Sequence, residues 1–279
     1  MTKTAFITDS ASGFGIDEHP DVFVVPMGVI VNEKQYIDYI DIQTEEFYDL
    51  LKDYGNGAKT FQPSPQSFHD TYQKAVDQGY THIIAIHATK ELTGTYQSSE
   101  MTSREFNIES TVINSNVGDY PLRRMVEEGV KASEAGESYE AIVSKIRELA
   151  DDPYLILYPK DLNQLKNSGR VSRSQGIIAG LLNIQLIIEF EGGKLYPIEK
   201  IRSKKKALKF IHEHIAEEIA QDNPSKIGVS FAGEEEEADL MVAWLKEQYP
   251  DKTIDKYPLV HVAGVHTGYG TIAVGWVRA

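Results

Sequence analysis

His82-Ile83-Ile84-Ala85-Ile86-His87, with Thr93-Gly94-Thr95 a few residues on, is the stretch that decides the fold. Four residues of β-branched and small apolar character, bounded by histidines, read as a buried strand. The hydroxyls and glycine after it open a helix over residues 94–104. Working outward, residues 111–114 form another short strand, and a helix spans 119–135. Toward the N-terminus, residues 4–8 give a strand ending at Asp9-Ser10, and 22–25 give a further β-branched run. Strands alternating with helices predict a parallel sheet covered on both faces. Ser64-Pro65 is a helix start with a hydroxyl cap and proline at the first helical position, and that helix runs to about residue 77. Thr44 caps a helix through residue 51, residues 28–39 suit a hairpin or an exposed strand, and residues 138–150 form an amphipathic helix.

Asp151-Asp152-Pro153 breaks this pattern and places a boundary there, between residues 1–152 and 153–279. Beyond it, residues 154–158, 185–190, 194–201, 226–231 and 271–277 are strand-like. Glu191-Gly192-Gly193-Lys194 joins two of them as a hairpin. A hairpin makes its strands antiparallel, so the expectation is an N-terminal, mostly parallel α/β/α domain followed by a C-terminal α+β domain with a largely antiparallel sheet. Helices fit residues 203–220 and 234–248.

The chain has 279 residues and a formal charge of −14, from 42 acids against 28 bases. Such a surface repels phosphate backbones, so nucleic acid is not expected as a partner. With no cysteine, disulfides, thiolate metal sites and cysteine nucleophiles are excluded; the composition fits a reducing compartment. The N-terminus meets Asp9 before a signal-length apolar core develops. The most apolar window, 176–190, contains Asn183, Gln185 and Glu189 and falls short of the roughly 20 residues that span a bilayer. The expectation is a cytoplasmic protein.

Two short stretches are suited to one anion. Thr93-Gly94-Thr95 lies at a strand end and a helix start, where free N–H groups and hydroxyls attract negative charge. Ser10 sits at another strand end, on the same rim. Capping alone also explains the threonines and glycine. The other stretch is Asn167-Ser168-Gly169-Arg170, whose guanidinium suits a carboxylate or phosphate. An apolar segment follows it, with Ile177 and Leu181 either plain core or the wall of a pocket. Thr60, in Thr60-Phe61-Gln62-Pro63-Ser64-Pro65, is a further hydroxyl donor. His266 lies among three glycines in Gly264-Val265-His266-Thr267-Gly268-Tyr269-Gly270, which implies a special backbone path before the last strand. The bases Lys200, Arg202, Lys204, Lys205, Lys206 and Lys209 make a solvated helix start, or a face for an acidic partner or anionic headgroups.

No complete catalytic set and no metal-ligand motif is legible. Gly228-Val229-Ser230-Phe231-Ala232-Gly233 lacks the spacing of a nucleophile elbow. His212-Glu213-His214 is not the zinc-binding H-E-x-x-H. Asp9, Ser10 and His266 make an awkward triad, since Asp9 and Ser10 are adjacent. A stand-alone α/β hydrolase or phosphotransferase using Ser10 or His266 stays open as an alternative.

The ordered set Ile7-Thr8-Asp9-Ser10, Val25-Pro26-Met27, Thr60-Phe61-Gln62-Pro63, Leu92-Thr93-Gly94-Thr95-Tyr96-Gln97-Ser98, Gly169-Arg170-Val171-Ser172, Lys200-Ile201-Arg202 and Gly264-Val265-His266-Thr267-Gly268 resembles the DegV family of bacterial lipid-binding proteins. The resemblance spans nearly the whole chain. It implies two α/β domains with a long-chain fatty acid between them and no further cofactor. It also implies a non-catalytic carrier that presents the carboxylate to the ATP-binding subunit of a fatty acid kinase and then holds the acyl phosphate. Transient contact with a membrane surface would accompany that role. By position, Thr60, Thr93 and the backbone at Gly94 fall on head-group contacts, with Ser10, Thr95, Arg170 and His266 around them. Ile177, Leu181 and Arg202 fall on the tail pocket or the partner-facing side. Phe61 stands where the family often has serine, and Tyr269 where it has proline.

Overall fold

A computed structural model of the chain describes residues 3–160, 162–171 and 184–278. In the first half, the elements are β1 (Thr4–Asp9), β2 (Val22–Val25), β3 (Gly28–Val31), β4 (Lys34–Ile37), α1 (Thr44–Tyr54) and β5 (Lys59–Phe61). They continue with α2 (Pro65–Asp77), β6 (His82–His87), α3 (Thr95–Ser103), β7 (Glu109–Asn114), α4 (Asp119–Glu134) and α5 (Tyr139–Asp151). Strands β2, β1, β6 and β7 lie side by side in that order, all parallel. Every residue of β1 is buried, as a strand covered on both faces requires. The Ser64 hydroxyl accepts the Ser67 N–H at 3.1 Å, with Pro65 at the first position of α2. Ser138 caps α5 in the same way.

The second half comprises β8 (Tyr154–Tyr158), α6 (Asn163–Ser168), β9 (Gln185–Glu191), β10 (Lys194–Ile201), α7 (Lys204–Asp222) and β11 (Lys226–Phe231). It ends with α8 (Glu236–Gln248), β12 (Thr253–Pro258), α9 (His261–Thr267) and β13 (Ile272–Trp276). Its six-stranded sheet runs β10-β9-β8-β13-β11-β12 and is antiparallel except for the β11–β12 pair. Gly192 and Gly193 both take positive φ in the β9–β10 turn, which is why two glycines stand there.

The mixed fold expected from the sequence is therefore present, with four differences. Strand β5 was not anticipated; it pairs with β3 in a small antiparallel sheet, β4-β3-β5. Only three residues long, it carries too little periodicity to be read. Strand β12 is polar on both sides of its alternation, because it lies at a sheet edge. The special backbone path expected around His266 is a short regular helix, α9, and Gly268, at φ 93°, is its stop. Gln43 holds the N-cap position of α1, and the Thr44 hydroxyl bonds His261 instead.

One apolar core continues from the parallel sheet (Phe6, Ile84) into the six-stranded sheet (Leu155, Leu157, Leu186). Polar bonds also cross between the halves. The Tyr120 hydroxyl donates to Asp255, Ser230 to Asp119, and Thr89 to the Gly193 carbonyl.

Candidate functional site

The short strand β5 and the short helix α9 bring the first polar pair together. Val29 of β3 faces Thr60 across the ladder, which fixes Thr60 at the sheet edge. His266 sits in the last turn of α9. The result is Thr60 Oγ1 at 3.0 Å from His266 Nε2, a contact between residues 206 positions apart.

This pair stands on a cavity of about 250 Å³. One water needs roughly 10–15 Å³, so the space exceeds a hydration site many times over. The first half supplies Ala11, Met27 and Leu92 to its wall; the second supplies Leu157, Phe190 and Val262. Its lining is largely apolar, with Thr60, Gln62, Thr93, Arg170 and His266 among the polar members. An elongated apolar ligand with one polar end matches that distribution.

Two hydroxyls at this end are buried with no hydrogen-bond partner, Thr93 Oγ1 and Thr95 Oγ1. Orphaned buried polar atoms are costly and uncommon in folded proteins. Both flank Gly94, the N-cap of α3, which offers no side-chain cap to the free N–H groups of the helix start. Helix dipole and hydroxyls together favour an anion. Arg170 adds a positive charge. It follows Gly169 at φ 65°, donates from Nη1 to the Ser168 carbonyl at 2.9 Å, and has no carboxylate partner among the described residues. Burial, and then the Arg170 charge, hold the His266 imidazole down to a pKa of about 3. Neutral at ordinary pH, the ring keeps one N–H donor and one acceptor nitrogen.

Of the sequence candidates, Thr60, Thr93, Arg170 and His266 are brought together on the cavity wall. Gly94 and Thr95 follow Thr93 in the chain and are not themselves wall residues. Ser10 does not join them. Its hydroxyl donates to Asp38 Oδ2 at 2.6 Å and accepts from Met27 N at 3.0 Å, in a separate buried network. Arg202 is exposed beyond the end of β10 and is not part of the wall. Ile177 and Leu181 lie outside the described residues. Asp9, Ser10 and His266 bond to different partners: Asp9 to His87 Nδ1, Ser10 to Asp38, and His266 to Thr60. Among the described residues no group of three or more metal-ligating side chains occurs, and no helix is long and apolar enough to cross a membrane. Phe61, noted in the sequence only as a departure from the family pattern, and Gln62, which sequence reasoning did not single out, are both wall residues. Their place in the Thr60 motif was the only available signal.

The sequence profile of the family described as "Uncharacterised protein, DegV family" matches residues 3–279. A DegV domain-containing protein of Halalkalibacterium halodurans is 29% identical over 279 residues, covering 99% of each chain. Among solved structures, a fatty acid binding DegV family protein from Streptococcus agalactiae superposes with a TM-score of 0.90 at 26% identity, covering all of both chains. DegV from Bacillus subtilis, described as a fatty acid binding protein, gives 0.88 at 25% identity, again with full coverage of both chains.

Proposed function

Because this chain belongs to the DegV family, we propose that it holds a long-chain fatty acid in the cavity between its halves. The carboxylate lies toward Thr60, Thr93, the start of α3 and Arg170. The chain is a carrier without chemistry of its own; a separate ATP-binding kinase subunit phosphorylates the presented carboxylate to an acyl phosphate. In this reading residues 1–152 and 153–279 are two domains around the ligand, and the exposed Arg202 faces the partner. The protein works in the cytoplasm.

The observation that carries the reading is the orphaned Thr93 hydroxyl at the polar end of an apolar cavity. A carboxylate accepts that hydrogen bond. Each buried methylene of the tail contributes about 0.8 kcal/mol, so the tail supplies affinity while the head group sets orientation. A carboxylate taken from water without donors is strongly disfavoured, which is why the donors gather at one end.

Native mass spectrometry of freshly purified protein tests it. The expected result is one fatty acid per chain, or its stoichiometric uptake when added. No bound lipid and no uptake would count against the proposal.

A further inference from the structure

Gln62 follows Thr60 and Phe61 out of β5 and lines the cavity. Its carboxamide rests on the backbone of Gly94. A Cβ placed at residue 94 would meet Gln62 Oε1 at 2.5 Å and Nε2 at 2.8 Å. The amide thus fills the volume that any side chain at the N-cap of α3 would occupy. It makes no hydrogen bond to another described residue. Beside it stands Thr93 Oγ1, buried and equally without a partner. Two cavity-wall side chains with open hydrogen-bonding capacity therefore lie at an uncapped helix start, one against residue 94 and one on the residue before it.

We propose that Gln62 is a head-group residue. Its Nε2 amide donates to the ligand's carboxylate alongside the Thr93 hydroxyl, and residue 94 lacks a side chain so that the amide can lie there. The proposal rests on the reading of the cavity as a fatty-acid site, and it adds a discriminating element to it. A neutral amide favours an anion over an uncharged head group, because hydrogen bonds to charged acceptors are the stronger ones. A purely structural role, in which the amide only plugs the helix start, makes a different forecast. There, a carboxylate in the same place stabilises the helix end through the dipole and leaves ligand binding alone.

The test measures dissociation constants of palmitate and of 1-hexadecanol, a tail of the same length without charge, for the wild type, Gln62→Glu and Gln62→Ala. Gln62→Glu keeps the shape and replaces a donor by an anion. We expect palmitate affinity to fall tenfold or more, as for a hydrogen bond to a charged group. Hexadecanol affinity should stay within twofold, with a thermal midpoint equal to or above that of the wild type. Gly94→Ala displaces the flexible amide and should reproduce the palmitate loss. Added to Gln62→Ala, it should cost little more, since the two changes remove one interaction. Palmitate binding within twofold of wild type in Gln62→Glu, or equal losses for both ligands, would overturn the role of Gln62 and leave the cavity reading standing. A wild type that binds neither ligand would overturn both.

Discussion

The two ends of α9 carry two buried polar clusters of opposite character. At its start, both ring nitrogens of His261 are engaged: Nδ1 with Asp38 at 3.2 Å and Nε2 with Thr44 at 3.1 Å. Asp38 also accepts from Ser10, and the ring stacks on Phe47 at 4.3 Å between centroids. At its end, His266 reaches Thr60, but Thr93 and Thr95 nearby have nothing to bond, and Arg170 has no carboxylate partner among the described residues. Only the second cluster borders the cavity. The first is closed and ties the β3–β4 hairpin, α1 and α9 together; the second keeps unpartnered hydroxyls, which the proposed fatty acid would engage. The chemical types are alike, so it is the state of satisfaction that separates a structural cluster from a binding one.

The largest effect should come from breaking the closed cluster. Asp38→Ala removes the shared acceptor of Ser10 and His261, two groups with no route to water. Stability measured by chemical denaturation should fall by about 3–5 kcal/mol. A loss under 1 kcal/mol would show that the network is not the fastener described here.

His266 gives the next effect. Its folded pKa of about 3 lies below the ordinary value of 6.5. As pH falls below 6.5 the unfolded chain takes up this proton and the folded chain does not. Stability is therefore complete above about pH 6.5 and is lost progressively toward pH 3, at no more than about 1.4 kcal/mol per pH unit. His266→Gln should remove that part of the slope. The difference between wild type and variant from pH 7 to pH 5 isolates it from the carboxylates. Parallel pH profiles would contradict the buried, neutral imidazole.

Thr93→Val sharpens the contrast. The buried hydroxyl has no partner, so its replacement by a methyl should leave the ligand-free protein as stable as the wild type or more stable, by up to about 1–3 kcal/mol. Fatty-acid affinity should fall about tenfold, as one charge-assisted bond is lost. A destabilised variant with wild-type affinity would place Thr93 with the closed cluster. The smallest effect belongs to Arg202→Ala: no change in stability or in fatty-acid affinity and, if the proposed carrier role holds, slower phosphorylation by a kinase subunit. A changed dissociation constant would move Arg202 from the partner's side to the ligand's.

Much of the fold was legible because it rests on strong local signals. The apolar runs of β6, β8 and β11 and the capped start of α2 were read from a few residues each. Elements without such signals were not. Strand β5 is defined by its partner β3, and the apolar part of α9 is interrupted by glycine and histidine. The site followed the same division. Thr93 and Arg170 were visible as residue types in suggestive places, yet the Thr60–His266 contact spans 206 positions and no local pattern announces it. Ser10 shares chemistry and strand-end position with Thr93. Its assignment to the closed network needed Asp38, which no sequence motif connects to it.

A crystal structure of the protein with palmitate tests the central claim most directly. The account predicts the acyl chain inside the cavity between the halves, with a carboxylate oxygen within hydrogen-bond distance of both Thr93 Oγ1 and Thr60 Oγ1. A carboxylate turned out to solvent, or a cavity left unfilled at saturating ligand, would contradict it.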